Sequence, residues 1–278
     1  MKTGTSKDGT TIAYDQVGTG FPLILVTGAL GVRSGSMQDG FVNLLMDHFT
    51  VINYDRRGRG DSTDTKPYAP EREIEDIEAL IDAAGGEAYL YGVSSGAILA
   101  LEAAAQFPNK VKKLAMYEPP FIIDGSRPPL PVDYVEQLDK ATAENRRGDA
   151  VNIFMMQALL IPQEFVDMMR NAPPPEGMYA DDVKPPAWSD METVAHTLAY
   201  DGRIVREYLA GHPLPAGRWN AFTGEGLVLV GGSSEPFFHD GAKVLAANVP
   251  NIRYQVLEGQ DHAVSPSALA PALVAFLS

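Results

Sequence analysis

Short apolar runs recur along this chain, separated by helical patterns, and no other feature restricts its fold as much. Leu23–Val26 reads LILV and Leu227–Val230 reads LVLV, with no polar residue to turn toward water. A strand apolar on both sides must be covered on both faces, as strands are in a parallel sheet flanked by helices. Ile12–Val17, Val51–Tyr54, Ala88–Tyr91, Val111–Tyr117 and Ile252–Leu257 are predicted strands of the same sheet.

The intervening segments read as helices. Glu71–Ala84 sets Ile74, Ile77 and Ile81 on one face, carries acidic residues in its first turn and meets Gly85 just past its end. Gly96–Phe107 is rich in alanine and stopped by Pro108. Ala242–Ala247 and Leu269–Leu277 follow later strands, and Pro271 predicts that the last helix is bent or starts late. Such alternation predicts an α/β fold: a mostly parallel central sheet with helices on both faces.

One stretch breaks the rhythm. Between Pro119 and Pro215 lie 13 of the 21 prolines and six of the ten methionines, with helical pieces and no clear strand. The pattern resumes near Gly226. An insertion between two strands accounts for this, so residues 1–124 and 221–278 are expected to form the core and 125–220 a mostly helical lid over the sheet's C-terminal edge.

Composition narrows the partners. The net charge of −14 repels phosphate backbones and anionic lipid, so neither a nucleic acid nor a membrane is expected as partner. The chain has no cysteine, which excludes disulfides, thiolate metal sites and a cysteine nucleophile. No histidine pair or carboxylate–histidine cluster has metal-ligand spacing, so neither metal nor cofactor is expected. The N-terminal MKTGTSKDG lacks the apolar core of a secretory signal, and the expected location is cytoplasmic.

The chemistry centres on Gly92-Val-Ser94-Ser-Gly96, a G-x-S-x-G motif between a predicted strand and an alanine-rich helix. A turn that tight strains the serine backbone, and the flanking glycines avoid clashes. Ser94 is then a nucleophile held at the sheet edge, near the positive end of the following helix. Its developing oxyanion needs donors: the Ser95 amide, and the Ala29 amide in the Thr27-Gly28-Ala29-Leu30 turn after the strand Leu23–Val26.

A serine hydroxyl also needs a base. Of the five histidines, His262 lies in a turn between the last predicted strand and the C-terminal helix, where it can reach back to Ser94. His48 ends a predicted surface helix, His239 starts one, and His196 and His212 fall in the lid, where they could touch substrate.

The order of elements, the elbow at Ser94 and the late His262 resemble the α/β-hydrolase superfamily, in particular its serine esterase and lactonase members. Asp55-Arg-Arg-Gly-Arg-Gly-Asp-Ser62 after an apolar strand resembles a landmark loop of that family, where it is structural. Relatives usually carry His-Gly where this chain has Thr27-Gly28. The backbone donor survives that change, with different hydrogen bonds behind it.

Two glutamates could orient the histidine. Glu235, in Gly231-Gly-Ser-Ser-Glu-Pro236, resembles the family's G-x-x-D-P acid loop with Glu for Asp. Glu118, in Met116-Tyr-Glu-Pro-Pro120, lies at the end of the strand after the nucleophile helix, where some branches carry their acid. A carboxylate beside an apolar strand needs a partner if buried, which favours Glu118 and leaves Glu235 as the alternative.

Leu30 and the lid residues Met155, Met156, Leu159, Trp188 and His196 are the candidate substrate contacts, with Phe154, Leu160, Phe165, Met168, Met169 and Trp219 adding apolar surface. Methionine and aromatic surfaces suit apolar groups of irregular shape. The expected substrate is therefore a small hydrophobic carboxylic ester or lactone, cleaved through an acyl-enzyme. A C–C bond hydrolase, a perhydrolase, a cofactor-free oxygenase and a non-catalytic small-molecule receptor are the other readings open to this fold.

Overall fold

The computed structural model describes residues 1–34, 36–172, 177, 179–183 and 185–278. Among them are eight strands: β1 (Lys2–Thr5), β2 (Thr11–Val17), β3 (Pro22–Val26), β4 (Thr50–Tyr54), β5 (Ala88–Val93), β6 (Val111–Tyr117), β7 (Glu225–Gly231) and β8 (Ile252–Leu257). They form one sheet in the order β1-β2-β4-β3-β5-β6-β7-β8. The pairs β1–β2 and β2–β4 are antiparallel, and the rest of the sheet is parallel.

Side chains of successive strand residues point to opposite faces, and this period of two divides the interior into two cores. Ile24, Val26, Leu90, Met116, Val228 and Val230 belong to one. It is covered by α2 (Pro70–Ala83), α3 (Ser95–Gln106) and α9 (Pro236–Asn248). Leu23, Leu25, Tyr91, Tyr117, Leu227 and Leu229 belong to the other, under α1 (Ser36–Leu45) and α10 (Pro266–Leu277). Helix α3 buries Ala97, Ala100, Ala103 and Ala104 beside Ile98, Leu99 and Leu101. Its alanines let it lie close to the strands while α2 and α8 (Leu198–Val205) pack on it.

Two expectations about elements need correction. Strand β1 was not predicted, because KTGT has no apolar pattern; its residues pair antiparallel with β2 at the sheet edge. Helix α10 does not start late. It begins at Pro266, whose missing N–H costs nothing in a first turn, and carries Pro271 inside it.

Between β6 and β7 the chain runs through α4 (Tyr134–Ala143), α5 (Arg147–Ile153), a π-helical turn (Phe154–Ala158), α6 (Gln163–Asn171), α7 (Trp188–Val194), a 3-10 turn (Ala195–Thr197) and α8. This insertion has a core of its own, including Leu138, Met155, Val166, Trp188, Met191 and Leu198. Ala29 and Leu30, in the turn after β3, pack against that core. Trp219 does not join the insertion: its ring lies with Phe121 and Tyr208 in the main core, and its Nε1–H donates to Glu102 at 2.9 Å.

Candidate active site

In open α/β sheets ligands bind at the carboxyl ends of the strands, where the strand order reverses. Here that point is the junction of β3 with β5, since β4 lies to one side of the pair and β6 to the other. Three non-glycine residues with left-handed backbone cluster there. Leu30 has φ 62°, Ser94 φ 55° and Glu118 φ 47°, following β3, β5 and β6 respectively. Each such residue costs roughly 1–3 kcal/mol and persists only where its surroundings impose it.

The elbow shows why its glycines are needed. A Cβ on Gly92 would stand 2.5 Å from the Gly96 carbonyl oxygen, and one on Gly96 would stand 2.3 Å from that of Val26. Ser94 is held at φ 55° and ψ −127° between them, with its N–H donating to the Tyr117 carbonyl at 2.9 Å. Gly28 also lies against the elbow: a Cβ there would be 3.0 Å from the Val93 carbonyl oxygen and 3.1 Å from Ser94 Cβ. Among the described residues, the amides of Ala29 and Ser95 have no hydrogen-bond acceptor. Both remain candidate donors to a group bound at the serine.

Register carries Glu118 to the neighbouring position. Val93 pairs with Tyr117, so the next residues, Ser94 and Glu118, emerge side by side. The Glu118 side chain is wholly buried, and its Oε2 lies 2.6 Å from His262 Nδ1. Its Oε1 accepts the Gly231 N–H at 2.8 Å and the Ser234 hydroxyl. Three polar groups thus share one buried carboxylate, which removes the penalty of burying it alone. Bonding through Nδ1–H leaves the lone pair on Nε2, the tautomer a general base requires. Among the described residues, Ser94 Oγ and His262 Nε2 are not hydrogen-bonded; such contacts often tighten only when substrate arrives.

The His262 turn is fixed from several directions. Tyr117 Oη donates to the Asp261 carbonyl at 2.6 Å, and Ser233 N–H donates to that of Gln260 at 2.8 Å. Burial and then the Glu118 charge push the Tyr91 and Tyr117 phenols up, so both stay neutral. Phe238 stacks on the imidazole, with centroids 5.0 Å apart and planes 13° from parallel.

Glu235, the alternative acid, lies elsewhere. It is 56% exposed and paired with Arg127 at 3.2 Å, at the start of α9. The serine one position earlier is the one that reaches Glu118.

Of the candidate substrate contacts, Leu30, Met156 and Leu159 are half-buried against the cluster that contains Met155 and Trp188. Trp188 spends its indole N–H on Glu192 at 3.0 Å. Phe165, Met168 and Leu160 are exposed. His196 sits beside the Gly58 backbone, and burial and then Arg147 hold its imidazole below the usual value. Its environment is the loop after β4, with Asp64 and Lys66 as further charged neighbours.

The profile of the α/β-hydrolase family matches residues 23–275, nearly the whole chain. The chain belongs to the α/β-hydrolase family. A crystal structure of an α/β hydrolase from Sphaerobacter thermophilus is 46% identical, with 100% of each chain covered and a TM-score of 0.87. An uncharacterized hydrolase of Bacillus subtilis is 28% identical over 154 residues, 52% of this chain and 54% of that protein. N-formylmaleamate deformylase of Pseudomonas putida is 34% identical over 143 residues, 49% of this chain and 52% of that protein. The alignments thus span about half the length of these two curated relatives. No described helix of this chain is long and apolar enough to cross a membrane.

Sequence reasoning missed several parts of the site. Ser234 and Gly231 stood in a run taken as a possible acid loop, and nothing local marked them as donors to Glu118. Phe238 lies ahead of the helix predicted from the sequence, and no local signal marks it as a neighbour of His262. Asp201, from α8, donates nothing but accepts from Ser95 Oγ at 2.7 Å, Arg56 Nη1 at 2.7 Å and Arg59 Nη2 at 2.6 Å. Burial opposes its charge, yet Arg56 and Arg59 hold the carboxyl below its ordinary value.

Proposed function

We propose that this hydrolase cleaves a carboxylic ester or lactone with an apolar moiety, through an acyl-enzyme on Ser94. The observation that carries the reading is the buried Glu118 carboxylate 2.6 Å from His262 Nδ1, at the strand end next to the strained Ser94. In this mechanism His262 Nε2 takes the Ser94 proton as Oγ attacks the carbonyl carbon. The Ala29 and Ser95 amides receive the oxyanion. His262 then gives the proton to the leaving alcohol and later activates water, which releases the acid and restores the serine.

The insertion acts as a lid in this reading. Its apolar core meets Ala29 and Leu30 directly, so the substrate group beside the oxyanion donors would face Met156 and Leu159 rather than solvent. The alignment to a deformylase supports acyl transfer in general and makes an N-formyl amide the rival substrate class.

Intact-mass analysis after fluorophosphonate treatment tests it. One adduct on wild type and none on Ser94→Ala is the expected result; a folded wild type without adduct refutes the reading. A panel of acetate, longer-chain and aromatic esters, lactones and N-formyl amides then tests the substrate class. Equal rates on acetate and long-chain esters, or turnover confined to N-formyl amides, would refute the apolar ester or lactone.

A further inference from the structure

The loop after β4 contains three buried arginines, and two of them are turned toward the site rather than toward the loop itself. Arg57 is spent on α2 and on the turn between β1 and β2, pairing with Asp76 at 2.7 Å and Asp8 at 2.9 Å. Arg59 instead donates from Nη1 to the Gly28 carbonyl at 2.6 Å and the Gly31 carbonyl at 3.1 Å. Arg56 donates to the Thr27 carbonyl at 3.2 Å and to Glu73 through Nε at 2.7 Å. Both guanidinium groups also meet Asp201.

The Gly28 carbonyl and the Ala29 N–H belong to one peptide unit. A cation bonded to the oxygen of that unit fixes its plane and draws electron density from its nitrogen, so the N–H becomes a stronger donor. The second oxyanion donor is reached by the same network. Asp201 accepts the Ser95 hydroxyl at 2.7 Å, and Ser95 is the first residue of α3. Arg59 is 1% exposed and Asp201 4%, so little solvent screens this arrangement.

We propose that Arg59, oriented by Asp201, is a positioning residue of the oxyanion hole: it polarises and holds the Gly28–Ala29 peptide while Asp201 holds Ser95. The inference rests on the assignment of Ser94 as nucleophile with Ala29 and Ser95 as its oxyanion donors. It gives the insertion a part in catalysis, because Asp201 arrives from α8 and closes the network.

The test follows fluorophosphonate adduct formation over time, by intact mass, on wild type, Arg59→Lys and Ser95→Ala. The final amplitude counts folded, reactive sites; the saturating rate reads stabilisation of the reacting phosphoryl oxygen; the half-saturating concentration reads binding. Arg59→Lys keeps the charge but cannot span both carbonyls and Asp201. It should keep its amplitude and half-saturation within about twofold and lose about 10-fold or more in saturating rate. Ser95→Ala keeps the backbone donor and should lose about threefold or more in the same constant. An unchanged saturating rate, or a loss confined to amplitude or half-saturation, overturns the proposal. If Arg59→Lys does not fold, Ser95→Ala decides by the same criterion. A wild type that takes no adduct overturns the serine-hydrolase reading and this proposal with it, whereas a reactive wild type with an equally fast Arg59→Lys refutes this proposal alone.

Discussion

Glu118 Oε2 and His262 Nδ1 lie 2.6 Å apart although 144 positions separate them in the chain. The contact joins the end of strand β6 to the turn after β8, and is completed by donors from the last residue of β7 and the loop after it. In the mechanism proposed above, the carboxylate fixes the imidazole tautomer and stabilises the imidazolium formed during turnover. Glu118→Gln should therefore lower kcat by about 10³- to 10⁴-fold at unchanged fold, because the amide can no longer accept Nδ1–H as a charged partner. Glu235→Gln should change kcat by less than about threefold, since only Arg127 loses an exposed partner. Steady-state kinetics of both variants with circular dichroism as control checks this; the reverse order would reassign the acid.

Much of this was legible before any coordinates. The unbroken apolar runs LILV and LVLV predict a sheet covered on both faces, because a strand apolar on both sides has no other stable setting. The glycines at 92 and 96 predicted the elbow, because few other settings need two such residues around a serine. What stayed illegible depends on contacts distant in sequence. Nothing around Asp201 announces that it will meet Arg56, Arg59 and Ser95, and the polar strand β1 has no hydrophobic period to read. The difference in burial between Glu118 and Glu235 is likewise something that a local pattern hints at and that depends on packing.

The two glycines Gly96 and Gly40 make a contrast. A Cβ on Gly96 meets backbone oxygens at 2.3 and 2.5 Å, atoms that cannot move without displacing β3. Gly96→Ala should cost about 1–3 kcal/mol or more from overpacking and remove the serine's reactivity with it. Gly40, in α1, has open space around it, so Gly40→Ala should stabilise by about 0.5–1 kcal/mol through helix propensity. Urea unfolding of both variants reads the difference, and equal effects would contradict it.

Phe238 is expected to act on His262 through orientation. The stacked ring limits the imidazole to planes near the one that bonds Glu118. An aromatic pair is worth about 0.5–1.5 kcal/mol beyond its buried area, so Phe238→Leu should lower kcat by about 3- to 10-fold. KM should move less than kcat, because the residue orders the base rather than the substrate. Steady-state kinetics on any accepted ester decides: a change in KM alone would make Phe238 a substrate contact instead.

The charge of Asp201 carries a pH signature whose sign follows from its depressed folded-state pKa. Burial opposes ionisation, and Arg56 and Arg59 more than offset it. A carboxyl depressed in the folded state contributes stability that is complete above its unfolded value, about 4, and is lost as pH falls through the folded one. Asp201→Asn removes this contribution and leaves two buried guanidinium groups short of a counter-charge, a loss of about 3–5 kcal/mol near neutrality. The stability gap between wild type and the variant should therefore be flat from about pH 8 to 5 and narrow below about 4. Urea unfolding of both proteins at steps through that range measures the gap. A gap that widens on acidification would mean that Asp201 is held neutral in the folded protein, and that its bonds to Arg56 and Arg59 do not carry the charge assigned to them.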